Sequence, residues 1–211
     1  MTSILRSLRS GALAAALALT ATIAAAPAFA ESAPSVRLRG DLVKFEGDVI
    51  SMKTRDGAAV TVKLAPNGGV TELRKAELGE IAAGTYIGVT ALPQKDGTLK
   101  AIAIHIFPAA MKGTAEGHRP WDLAPETTMT NATVDGVVTQ GASPTLKVKY
   151  KDGEKTVTVV PETAIVAMGP GNPGMLKPGA HILIFSAAKG ADGSLTTRGV
   201  VVGKDGLVPP M

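Results

Sequence analysis

Leu146-Lys147-Val148-Lys149-Tyr150-Lys151-Asp152-Gly153, with Thr156-Val157-Thr158-Val159 just beyond it, decides the fold. Leu146, Val148 and Tyr150 alternate with three lysines. A period of two puts one face of a strand in a core and the other in water. Asp152-Gly153 then marks a hairpin, because glycine accepts the positive φ that a tight turn demands. Val157 and Val159 alternate with Thr156 and Thr158 on the returning strand.

The same signals stand about 96 residues earlier in the chain. Gly40 and Gly136 each open an apolar segment, and Asp56-Gly57 matches Asp152-Gly153. Pro66 matches Pro161, Ile81-Ala-Ala-Gly84 matches Leu176-Lys-Pro-Gly179, and Asp96-Gly97-Thr-Leu99 matches Asp192-Gly193-Ser-Leu195. Landmarks that recur in one order at one offset mark a duplicated unit. In the first copy Val60, Val62 and Leu64 form the returning strand. Its final strand carries Ile102, Ile104 and Ile106 on one side and Ala101, Ala103 and His105 on the other.

Each copy reads as three strands, an irregular link and two more strands. Glu72–Leu78 suggests a short helix in the first link. Met168–Met175 is too rich in Gly and Pro to be one in the second. That order fits an all-β chain of two tandem five-stranded OB-like barrels, or open sandwiches. The expected units are 35–108 and 131–203, joined by a connector at 109–130 and followed by a tail at 204–211. The connector holds the only Trp of the chain, so it is expected to pack on the barrels and not to act as a loose tether.

Residues 1–30 carry a separate signal. Arg6 and Arg9 precede an uncharged apolar run, Gly11–Ala26, and Ala28-Phe29-Ala30 offers small residues at a cleavage site. This pattern predicts a secretory leader cut after Ala30 and a periplasmic or secreted product. The apolar run is shorter than the roughly 20 residues that span a bilayer. Without the leader the formal charge falls from +4 to +2. Such a balanced chain lacks the positive field that nucleic acid binding needs, so no nucleic acid partner is expected. There is no cysteine, so no disulfide supports the fold and no thiol serves as nucleophile.

Candidate chemistry is sparse. The histidines His105, His118 and His181 fall in different elements, and no Gly-Xaa-Ser-Xaa-Gly elbow is present. The expectation is a non-enzymatic protein with no cofactor. His118, Arg119, Trp121 and Asp122 form the one polar-aromatic cluster, and ligand sites favour the junctions between domains. They are the candidate ligand-binding residues, for an envelope ligand of unknown identity. The alternative is copper handling, because thioethers with imidazole suit Cu(I). Its candidate ligands are Met52, Met111, Met129, Met168, Met175 and Met211 with the histidines. Met52 occupies the position of Val148 and reads as core filling. Met168 and Met175 bracket the Gly/Pro loop and read as exposed. Asn131-Ala-Thr133 fits a glycosylation sequon.

With these residues quoted, residues 37–107 and 133–203 resemble the DUF5666 group of exported bacterial domains. A Gly opening, Asp-Gly turns, a Lys-Pro-Gly and an Asp-Gly-Thr-Leu ending carry the likeness. The first copy departs from it at Ala82-Ala83-Gly84. The chain also resembles a two-copy alphaproteobacterial form, through Gly117-His-Arg-Pro-Trp-Asp-Leu123 and Gly203-Lys-Asp-Gly206. The resemblance implies an OB-like fold and brings no catalytic residue with it.

Overall fold

Strands form wherever apolar and polar residues alternate. The computed structural model describes residues 34–139 and 143–211. The expected leader lies outside them. The strands are β1 (Ser35–Glu46), β2 (Val49–Thr54), β3 (Ala59–Lys75), β4 (Tyr86–Pro93), β5 (Leu99–Ile106), β6 (Gly117–Pro120), β7 (Thr128–Val138), β8 (Thr145–Tyr150), β9 (Gly153–Thr158), β10 (Ala164–Pro170), β11 (His181–Lys189) and β12 (Leu195–Gly203). β2 and β8 start 96 positions apart, and β4 and β11 start 95 apart. Among the described residues no helix is long and apolar enough to cross a membrane.

Five strands close a barrel in the order β1-β2-β3-β12-β11. β3 and β12 run parallel, and the other neighbours, including β11 with β1, run antiparallel. A second ring has the order β7-β8-β9-β5-β4, with β4 antiparallel to β7. Two parallel pairs, Leu99 with Val157 and Lys100 with Thr158, complete it.

This pairing corrects the expected domain boundaries. Neither 35–108 nor 131–203 closes on itself. The barrel takes β1–β3 from the expected first unit and β11–β12 from the expected second. The second ring takes β7–β9 from the expected second unit and β4–β5 from the expected first. Residues 33–211 make one compact unit. The cause lies in β3, a strand of 17 residues. Its start belongs to the barrel. Its end, Thr71–Lys75, pairs with β10 and carries the chain across to the second ring. The same pairing overrides the expected helix at Glu72–Leu78. There the strand continues to Lys75, and one 3-10 turn at Leu78–Glu80 follows.

The apolar faces fill two interiors. Leu42, Ile50, Met52 and Val62 meet Ile182, Ile184, Val200 and Val202 inside the barrel. Ile87, Val89 and Ile104 meet Val134, Leu146, Val148 and Val157 inside the second ring. Burial of each such side chain contributes about 1.5–3 kcal/mol. A third cluster joins the outer faces of the rings through Leu73, Val166, Met168, Leu183, Val201 and Met211. The expected tail is therefore anchored. Met211 is buried, and the main-chain oxygens of Pro209 and Met211 accept hydrogen bonds from Arg55 and Arg39.

Gly40 and Gly136 match in sequence but differ in duty. A Cβ on Gly40 would collide with the Lys53 carbonyl oxygen and the Thr54 backbone, whereas one on Gly136 meets nothing within 4 Å. Gly40→Ala is expected to lower stability by about 1–3 kcal/mol, as forced overpacking does. Gly136→Ala should change the urea midpoint little. Equal losses in the two variants would count against the tight β1–β2 approach.

Candidate functional site

The alternation of strand side chains builds the site. Ile87, Val89 and Ala132 point into the second ring. Their neighbours Gly88 and Asn131 therefore face outward. Asn131, Gly88 and His105 lie side by side across β7, β4 and β5, and His105 continues to Val166 on β10. Glycine at the centre of this row lets the side chains of Asn131 and Phe107 close over it. A Cβ there would lie 2.8 Å from Asn131 Oδ1 and 3.0 Å from the Phe107 ring.

Above this row lies a cavity of about 300 Å³. Phe107 and Met111 line it from the chain leaving β5, Phe185 from β11, and Arg119 and Trp121 from the connector. Arg37 of β1 and Met211 complete the wall. The outer faces of both rings and the connector thus meet at one hollow.

Four of its lining side chains hold a buried polar atom with no hydrogen-bond partner: Arg37 Nε, His105 Nε2, Trp121 Nε1 and Asn131 Oδ1. Buried polar groups are normally paired, and each unpaired one costs about 1–3 kcal/mol. Four around one apolar hollow make a set of two donors and two acceptors. Asn131 Nδ2 donates to the Thr114 carbonyl at 3.2 Å, which leaves Oδ1 as the acceptor. His105 Nδ1 faces the Gly88 carbonyl at 3.4 Å. With the proton assigned there, Nε2 is the acceptor. Burial pushes His105 down to about 4, so it is neutral at pH 7.

The cationic wall is held from behind. Asp122 pairs with Arg37 at 2.6 Å and Arg39 at 2.7 Å. The Arg39 hydrogen bond, with the charges of both arginines, holds its carboxyl below the usual range. Arg37 stacks on the Trp121 ring at 3.8 Å, and Arg119 lies 5.7 Å from the same centroid. Arg119 is half-buried. Its one side-chain hydrogen bond goes to the Ala115 carbonyl, and among the described residues no carboxylate pairs with it. Burial, and then repulsion from Arg37, lower its pKa.

The four expected residues thus divide. Arg119 and Trp121 line the cavity. Asp122 lies outside it and orients Arg37. His118 faces the opposite side of β6, where Nδ1 meets Thr130 Oγ1 at 2.8 Å. Thr130 is fully buried, so its hydroxyl is closed to solvent. The sequence does not single out Arg37 or Asn131 for the site, and it offers His105 only as a copper ligand. His105 was placed on the side of β5 opposite its isoleucines, yet Ala103 on that side is as buried as the core.

Among the described residues no three His, Cys, Asp or Glu side chains group to hold a metal. The methionines distribute unevenly. Met52 fills the barrel core as expected. Met168 is buried in the cluster between the rings, and Met175 packs against the barrel interior, which corrects their expected exposure. Met111, Met129 and Met211 line the cavity together with His105. No protein-family model, curated protein or solved structure matches the chain.

Proposed function

We propose that this chain is an exported, non-enzymatic small-molecule-binding protein of the bacterial envelope, built from two OB-like barrels that exchange halves and related to the DUF5666 group. The observation that carries the binding role is that four residues lining one apolar cavity each hold a buried polar atom without a partner. Ligand pockets combine largely apolar walls with a few placed polar groups, and this cavity sits at the small end of their size range. The strand order β1-β2-β3-β12-β11, with a parallel β3–β12 closure, supports the OB-like assignment. The leader-like residues 1–30 support export.

Trp121 is the only tryptophan and lines the cavity, so its fluorescence reads occupancy directly. Small-molecule fractions of an envelope extract should shift it saturably. Native mass spectrometry should then recover the bound compound unchanged. A compound released chemically altered would overturn the non-enzymatic part, and silence of Trp121 towards every fraction would overturn the binding role.

A second reading is favoured by Met111, Met129, Met211 and His105 sharing the cavity, a donor set suited to Cu(I). Two guanidinium groups on the same wall oppose a cation there. Anaerobic titration with Cu(I), followed at Trp121, decides between the readings. Tight stoichiometric quenching that persists against a chelator would favour copper handling.

A further inference from the structure

We propose that the cavity takes a small apolar monocarboxylate, its carboxylate held by Arg119, Arg37 and the Trp121 N–H and its far end, bearing a hydroxyl, turned to Asn131 and His105. This inference rests on the small-molecule reading above and names the ligand class.

Charge supplies the first argument. Arg37 and Arg119 stand over the Trp121 ring, Asp122 is engaged by Arg37 and Arg39, and Arg39 also donates to the Met211 main-chain oxygen. Arg119 keeps a half-buried charge without a counter-ion. A desolvated charge left unpaired is costly, and a carboxylate answers it with short, charge-assisted hydrogen bonds.

The unpaired donors point the same way. One Arg37 nitrogen is taken by Asp122, and Nε remains. Trp121 Nε1 can only donate. Both need an acceptor, and both belong to residues beside Arg119. An anionic oxygen satisfies all three groups.

The walls set the rest of the molecule. Phe107, Met111, Met129 and Phe185 offer no polar side-chain group capable of strong hydrogen bonds, so a sugar or a phosphate ester would lose most of its hydration uncompensated. Asn131 Oδ1 and the neutral His105 Nε2, side by side across β7, β4 and β5, are both acceptors. A far end that donates, such as a hydroxyl, completes them. The unpaired set therefore holds donors from Arg37 and Trp121 and acceptors from Asn131 and His105.

The test titrates benzoate, 4-hydroxybenzoate and hexanoate, each beside its primary amide, into the purified protein while Trp121 fluorescence is followed. Each acid should bind at least about tenfold more tightly than its amide, as expected for charge-assisted pairing. Arg119→Gln should shrink that preference to about twofold while the amides still bind, which separates lost charge from lost folding. 4-Hydroxybenzoate should bind more tightly than benzoate, and His105→Phe should remove that advantage. Acids and amides of equal affinity would overturn the carboxylate proposal and leave the small-molecule reading standing. If Trp121 ignores all six probes but responds to a fraction of envelope extract, the ligand class is wrong and the binding role survives. If it ignores both, the two fall together.

Discussion

Residues 34–108 and 109–211, produced as separate chains, are expected to fail to fold as monomers and to fold when mixed. The first half holds β1–β3 of the barrel and β4–β5 of the second ring. On its own it leaves Leu42, Ile50, Met52 and Val62 without Ile182, Ile184, Val200 and Val202. It also leaves Ile87, Val89 and Ile104 without Leu146, Val148 and Val157. At about 1.5–3 kcal/mol for each large buried side chain, the loss exceeds the 5–15 kcal/mol by which a domain is normally stable. Circular dichroism of each half should lack a cooperative transition, and the mixture should give a 1:1 complex with one. A homodimer of one half would preserve the exchange, with each copy standing in for the other. A stable monomer from either half would mean that each copy closes on itself, and the contiguous boundaries at 35–108 and 131–203 would return.

That outcome also bears on what a sequence of this kind reveals. Strand positions were legible because alternation is local, and β8 and β9 follow directly from Leu146–Val159. Partner choice was not. The two copies present apolar faces of the same period, so β1 pairs as readily with β11 as with β4 on pattern alone. Nothing local separates the arrangements, and the long β3 that carries the chain between rings contains Pro66-Asn67-Gly68-Gly69, which reads as a turn. The site was legible in part. A lone Trp beside arginine in a connector is a visible signal, and Arg119 and Trp121 do line the cavity. Asn131 was hidden behind a sequon, and Arg37 lies 84 positions from Trp121 with nothing to tie them. His105 became legible only through Gly88, whose missing side chain matters only when β4 is laid between β5 and β7.

Acidification should expose His105 as a stability switch. Its ordinary value is 6.5, and burial lowers it to about 4 in the folded chain. Between these values the unfolded chain binds a proton that the folded chain refuses, so stability rises with pH. The contribution is fully present above pH 6.5 and is lost as pH falls towards 4. The shift amounts to roughly 3 kcal/mol at pH 4. The half-buried His118, also lowered by burial, adds a smaller loss of the same sign. The exposed carboxylates Asp56, Asp96 and Asp192 are lowered by hydrogen bonds within their turns. Their contributions are lost mainly below about pH 4, where free aspartates protonate, so the two windows separate. Urea midpoints measured from pH 7.5 to 4.5 should fall steeply in the wild type and much less in His105→Leu. Parallel curves would mean that His105 protonates freely in the folded chain. The imidazole would then be hydrated and cationic, unable to accept at Nε2, and the acceptor pair of the cavity would be reduced to Asn131.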